Sequence, residues 1–129
     1  MKYLEELDDL NLPKDEYVIA GSGLLAIKGL RENNDIDIFV TSKLWGELSK
    51  NHNIEKNKNK VRRISIGNIE IFNVEEQRRL IEEGSPVQFI TMSETIEGYP
   101  FLSKEMFFTY KKNLGRPKDK RDIKLLKNS

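Results

Sequence analysis

Two carboxylates stand two residues apart inside an apolar run, and this most constrains how the chain can fold. Asp35-Ile36-Asp37-Ile38-Phe39-Val40 reads as a β-strand, in which residues i and i+2 face the same side. Asp35 and Asp37 are therefore expected to project together, with Phe39 beyond them. Adjacent carboxylates repel, and a partly buried pair without a counter-charge is costly. Two arrangements relieve that cost. Either the strand ends near solvent with both groups hydrated, or a divalent cation sits beside them. Carboxylate oxygens are hard ligands suited to Mg²⁺, which is usually held by one or two carboxylates together with substrate phosphates.

The segment upstream bears on that choice. Tyr17-Val18-Ile19-Ala20 reads as a short buried strand, Gly21-Ser22-Gly23 as a tight turn, and Leu24 to Lys28 as one or two helical turns. Backbone N–H groups at the start of a helix favour an anion. Alone, Gly-Ser-Gly is more often only a turn. Thirteen residues ahead of Asp35-Ile36-Asp37, it reads as a phosphate cradle next to a metal pair.

Together, Ala20-Gly21-Ser22, Gly29-Leu30-Arg31 and Asp35-Ile36-Asp37-Ile38 resemble the signature of the nucleotidyltransferase superfamily, whose fold is shared with DNA polymerase β. A second stretch, Leu102-Ser103, Lys111, Gly115-Arg116-Pro117-Lys118-Asp119 and Asp122-Ile123, is similar to the C-terminal part of small bacterial and archaeal members, among them toxins of toxin–antitoxin pairs. The resemblance spans most of residues 17–126. It implies a metal-dependent enzyme that moves a nucleoside monophosphate from an NTP such as ATP to a hydroxyl acceptor, releasing pyrophosphate. Asp35 and Asp37 would bind Mg²⁺ or Mn²⁺, and Gly21 and Ser22 the β- and γ-phosphates. The acceptor is left open by the sequence: a tRNA end, a protein hydroxyl or a small molecule. The rival reading is a non-catalytic module of the same fold that binds a nucleotide or a protein partner, as an antitoxin or regulatory subunit does.

Composition narrows the setting. At 129 residues one domain is expected; the resemblance, with the strands and helices read along the chain, implies an α/β (α+β) class with the nucleotidyltransferase fold, a mixed, mostly antiparallel sheet flanked by helices. Net charge is +1, which argues against a binder of polyanions through bulk charge. The chain has no cysteine, which excludes disulfides and thiolate metal sites. No apolar run approaches the ~20 residues of a membrane span, and the charged start Met1-Lys2-Tyr3-Leu4-Glu5-Glu6 is unlike a signal peptide, so a cytoplasmic protein is expected.

Further along, Leu4, Leu7 and Leu10 suggest an amphipathic helix ended near Pro13, and Thr41 or Ser42 can cap a helix carrying Leu44, Trp45 and Leu48. Residues 51–60 read as a polar, lysine-rich loop. Val61–Ile66 and Ile69–Val74 alternate across Gly67-Asn68, a hairpin signal. On its second strand Glu70 shares a face with Phe72 and Val74. It is either the ion-pair partner of Arg62 or Arg63, or a third acid beside Asp35 and Asp37. The resemblance implies the latter, with Glu70 sharing the metal and orienting or deprotonating the acceptor hydroxyl, although the superfamily more commonly has Asp there.

In the tail, Ser103 caps a helix whose inward stripe is Phe107, Tyr110, Lys111 and Leu114. Lys111 either snorkels along that stripe or points into a site. The resemblance implies that Lys111 and Arg116 neutralise the leaving pyrophosphate. Gly115 stops the helix and Pro117 starts the next, on which Asp119 reads as a helix-terminal charge and Asp122 as an anchor for Lys111 or Arg116. His52 reads as a surface residue. The cluster Lys56, Lys58, Lys60, Arg62 and Arg63 either guides nucleic acid or is a solvated loop, since Asn rather than aromatics interleave it.

Overall fold

The computed structural model describes residues 1–80 and 85–129. In chain order it contains α1 (Leu4–Asp9), β1 (Tyr17–Ile19), α2 (Gly23–Ile27), β2 (Ile36–Val40), α3 (Ser42–Ser49), β3 (Glu55–Lys56), β4 (Arg62–Ile66) and β5 (Ile69–Asn73). A 3₁₀ segment (Val74–Leu80), α4 (Gln88–Thr91), β6 (Glu94–Ile96), β7 (Tyr99–Phe101), α5 (Lys104–Leu114) and α6 (Pro117–Lys127) follow.

The strands form one seven-stranded sheet in the order β3-β4-β5-β2-β1-β7-β6. The β2–β5 and β1–β7 pairs are parallel, and the other pairs are antiparallel. The protein is thus α+β, with a mixed and mostly antiparallel sheet.

Strand alternation divides the apolar residues between two cores. Ile36, Ile38 and Val40 of β2 join Ile19, Leu24, Leu25, Leu44, Trp45, Ile69 and Ile71 on one face. Phe39 joins Val18, Val74, Phe89, Ile90 and Tyr110 on the other. The helices that cover these faces start where polar side chains satisfy their free N–H groups. Thr41 Oγ1 accepts from Leu44 N at 3.2 Å to open α3, and Ser103 Oγ accepts from Met106 N at 3.2 Å to open α5.

Three local features depart from the sequence reading. Residues 51–60 hold the short strand β3, which pairs Glu55 with Arg63 and Lys56 with Arg62. Both β3 residues are exposed, so the pairing is made by backbone alone and leaves no apolar alternation. The β6–β7 hairpin turns through Glu97 (φ 52°) and Gly98 (φ 85°). Two successive positive φ values mark a type I′ turn, but Glu in place of Asn or Asp hides the usual signal. Asp35 lies just before β2 and is exposed, while Asp37 lies inside the strand and is half-buried.

Candidate active site

The floor of the site is built by the parallel β2–β5 pair. Its register sets Asp37 opposite Glu70 and Phe39 opposite Phe72. Two acids therefore sit side by side on the face that carries the aromatic core. The Phe39 ring lies 6.4 Å from Phe72, 5.3 Å from Phe89 and 5.5 Å from Tyr110. This packing keeps water from one side of Asp37, and like charges on adjacent strands repel.

Both effects favour the protonated acid. Burial first, then the charges of Asp35 and Glu70, push Asp37 up to about 7 against the opposing pull of Lys111 and Lys118. Asp35 is raised as well, first by partial desolvation and then by Glu70, against Arg63 and Lys118. Among the described residues no group donates a hydrogen bond to the Asp37 carboxylate. The turn into β2 is held by buried Asn33, which donates to the carbonyls of Lys2 (3.0 Å) and Asp35 (3.2 Å) and accepts from Lys2 N (2.9 Å).

Gly21 adjoins the acids because only backbone fits there. Its φ is +58°, and an added Cβ would lie 2.5 Å from Asp37 Oδ2. Both the left-handed conformation and the close approach require glycine. Ser22 follows as the N-cap of α2, without a side-chain cap bond, and its Oγ reaches Asp122 Oδ2 at 3.5 Å. At five residues, α2 contributes only a short dipole.

A charged network forms the opposite wall. Lys111 is buried in α5, and its Nζ lies 3.3 Å from Asp119 Oδ1 and 3.0 Å from Asp122 Oδ2. Both carboxylates come from α6 and are buried too. Arg116 Nε donates to Asp119 Oδ2 at 2.6 Å, and the Arg116 backbone N–H donates to the same oxygen at 3.1 Å. Burial opposes ionisation of Asp119, but the Arg116 hydrogen bond and the charges of Lys111 and Arg116 outweigh it and hold this carboxyl below its usual range.

Asp122 anchors Lys111, as one of the two sequence alternatives had it, and its second cation is Arg31 rather than Arg116. Arg31 Nη1 donates to Asp122 Oδ1 at 2.6 Å. The chain delivers Arg31 by a Schellman ending of α2. Leu30 N donates to Leu25 O at 2.9 Å and Gly29 N to Ala26 O at 3.1 Å, with Gly29 at φ +73°.

Floor and wall enclose a cleft of about 290 Å³. Gly21, Ser22, Asp35, Asp37, Lys111 and Arg116 all line it, so residues read separately from the sequence meet in one place. Glu70 adjoins Asp37 in register but is not part of the lining. It accepts from Ser65 Oγ at 2.6 Å and lies 3.5 Å from Arg63 Nε, so the expected hairpin ion pair and the position beside the acid pair coexist. Arg62 instead pairs with Glu76. Arg31, Lys118, Gln77 and Tyr110 also line the cleft and were not singled out as site residues. The Gly29-Leu30-Arg31 run held a signal for the first. Gln77 sits at a kink in the 3₁₀ segment, which has no sequence period to reveal it.

The donor set suits a hard divalent cation. Among the described residues Asp35 and Asp37 lack a hydrogen-bonding counter-charge, and burial first, then repulsion from neighbouring acids, raises both. Among the described residues no group of three or more His, Asp or Glu side chains is placed to hold a metal ion, the expected set of Asp35, Asp37 and Glu70 included. No protein family, curated protein or solved structure gives a significant match to the chain. Among the described residues no helix is long and apolar enough to cross a membrane.

Proposed function

We propose that this chain has the nucleotidyltransferase fold and transfers a nucleoside monophosphate from an NTP to a hydroxyl acceptor. The observation that carries the reading is the cleft floor. Asp37 stands in register with Glu70, beside Asp35 and against a glycine whose Cβ would collide with it, and cationic side chains lie across the cleft. Acids kept close together, of which Asp35 and Asp37 have no ion pair among the described residues, facing cations across a cleft, suit a polyphosphate carrying its own divalent metal.

Asp35 and Asp37 would hold the metal, which supplies charge neutralisation at the transferring phosphoryl group when bound. Gly21 lets the backbone approach the phosphates, and Ser22 Oγ donates to them. Arg31 and Arg116 spread positive charge toward the leaving group. Lys111, tied to Asp119 and Asp122, acts by holding α5 and α6 together under those cations as well as by its field. In the transfer the acceptor oxygen forms a bond to the α-phosphorus and the bond from that phosphorus to the bridging oxygen breaks. Pyrophosphate leaves with the electron pair. The hydroxyl proton passes to Glu70, whose Oε1 has no donor among the described residues.

Thermal unfolding with Mg²⁺ or Mn²⁺ and each NTP tests this reading. Ligand at a hundredfold excess over Kd stabilises by about 2.7 kcal/mol, and that shift is expected for the wild type and absent for Asp37→Ala. Equal nucleotide-dependent stabilisation of both proteins contradicts the assignment.

A further inference from the structure

The cleft has two ends of different chemistry. Along the parallel β2–β5 pair, Asp37 and Glu70 are followed two residues on by Phe39 and Phe72, roughly 6.6 Å further along the strands. Asp35, Gly21, Ser22 and Arg31 line the charged end. Phe39, Phe72, Val61, Tyr110 and Leu114 line the other. The 3₁₀ segment that leaves β5 packs against α5, which carries the last two of these.

A buried polar side chain stands among these apolar groups. Gln77 lines the cleft but is only 4% exposed. Its Nε2 donates to the Asn73 carbonyl at 3.4 Å. A carbonyl can only accept, so that bond fixes which way round the amide lies. Asn73 is itself held, since its Oδ1 accepts from Ser42 Oγ at 3.2 Å and from Glu75 N at 3.1 Å. Gln77 Oε1 is left without a donor among the described residues. Nor is it sealed in the core: among those residues the one fully buried side-chain N or O atom without a partner is Arg63 Nε. A buried amide anchored at its nitrogen, with its oxygen open to a cleft, calls for a donor from whatever fills the cleft.

We propose that Gln77 chooses the base of the nucleotide: its Oε1 accepts a hydrogen bond from the amine of an adenine lying over Phe39 and Phe72, so the triphosphate used is ATP. This rests on the nucleotidyl-transfer reading and names its nucleotide. With the triphosphate at the charged end, the ribose and base extend along the strands toward the rings. Aromatic rings hold any base by its face, so Phe72 and Tyr110 give affinity without choice. The choice falls to the edge of the base. Oε1 repels a carbonyl oxygen and takes an N–H. Guanine, cytosine and uracil each bring at least one carbonyl oxygen that must be stripped of water against apolar walls. Adenine, alone among the four common bases, brings an amine and no carbonyl.

The test is calorimetric titration of the whole chain, with Mg²⁺ present, with ATP, GTP, CTP, UTP and purine riboside triphosphate, which is ATP without the amine. ATP should bind tightest, about 2- to 12-fold tighter than purine riboside triphosphate, the worth of one neutral hydrogen bond. Gln77→Met keeps the length of the side chain and deletes the amide. It should weaken ATP to the level of purine riboside triphosphate and leave the affinity of the latter unchanged. Damage to the fold would weaken both alike, so the cycle separates base reading from structural support. Equal binding of ATP and purine riboside triphosphate by the wild type overturns the proposal, whatever the variant does. So does GTP, CTP or UTP binding as tightly as ATP, or an equal loss for both purine nucleotides in Gln77→Met. Triphosphates bound without preference for a base would overturn this inference and leave the transfer reading standing, whereas no binding of any triphosphate overturns both.

Discussion

Removing the Asp37 charge should stabilise this protein, by an amount that depends on pH. The carboxyl is pushed up to about 7 from an ordinary value of 3.8. Between those two values the folded state keeps a proton that the unfolded chain has released. Stability then falls as pH rises, by about 1.4 kcal/mol per pH unit, and levels off above pH 7. The ionised site thus costs the fold on the order of 4 kcal/mol at pH 8. Asn cannot ionise, so the Asp37→Asn profile lacks this slope. The variant should match the wild type near pH 4 and exceed it above pH 7.

Urea unfolding followed by the fluorescence of Trp45, the single tryptophan and a buried one, measures this directly. Mg²⁺ with an NTP should narrow the gap at pH 8 by stabilising the wild type alone. A variant less stable than the wild type at pH 8, or a difference that does not vary between pH 4 and pH 8, refutes the reasoning. The acid pair would then be satisfied in its apo state, and the argument for a metal would lose its physical basis.

Other perturbations separate the remaining roles. Gly21→Ala forces an L side chain to φ +58° and into Asp37 Oδ2; it should cost roughly 1–2 kcal/mol in backbone conformation and remove nucleotide-dependent stabilisation, as read by thermal shift. Glu70→Gln should lower kcat with little change in KM, the signature of a group used in the transition state; unchanged turnover returns Glu70 to a hairpin ion pair. Lys111→Met leaves Asp119 and Asp122 short of a buried partner and should cost about 3 kcal/mol in urea unfolding, whereas exposed Lys112→Met should stay within about 0.5 kcal/mol. Ser22→Ala removes one hydroxyl donor and should weaken nucleotide binding by about 0.5–1.5 kcal/mol in calorimetry.

The sequence made the centre of this site legible because its signals are local. The spacing of Asp35 and Asp37, the glycine at 21 and the alternation around Gly67-Asn68 each read directly as backbone geometry. Lys111 could be told from Lys112 because helical phase sets one inside the stripe and the other on the surface, and the two are respectively buried and exposed. What stayed hidden depends on register between distant segments. No pattern in Ile69–Asn73 announces that it pairs parallel with β2 and sets Glu70 beside Asp37. Nor does any local feature show that Arg31 meets Asp122, or that Ser65 engages Glu70. The seven-residue 3₁₀ segment and the two-residue strand β3 lack a repeat long enough to carry a period.

Transfer chemistry itself is tested most directly by following the two ends of one nucleotide. The protein is incubated with Mg²⁺, cell extract and NTP labelled at either the α- or the γ-phosphorus. The account predicts that the α-label becomes attached to an acceptor while the γ-label appears as pyrophosphate, and that Asp37→Asn abolishes both. Attachment of the γ-label, or no attachment of either label with any of the four common NTPs, contradicts it.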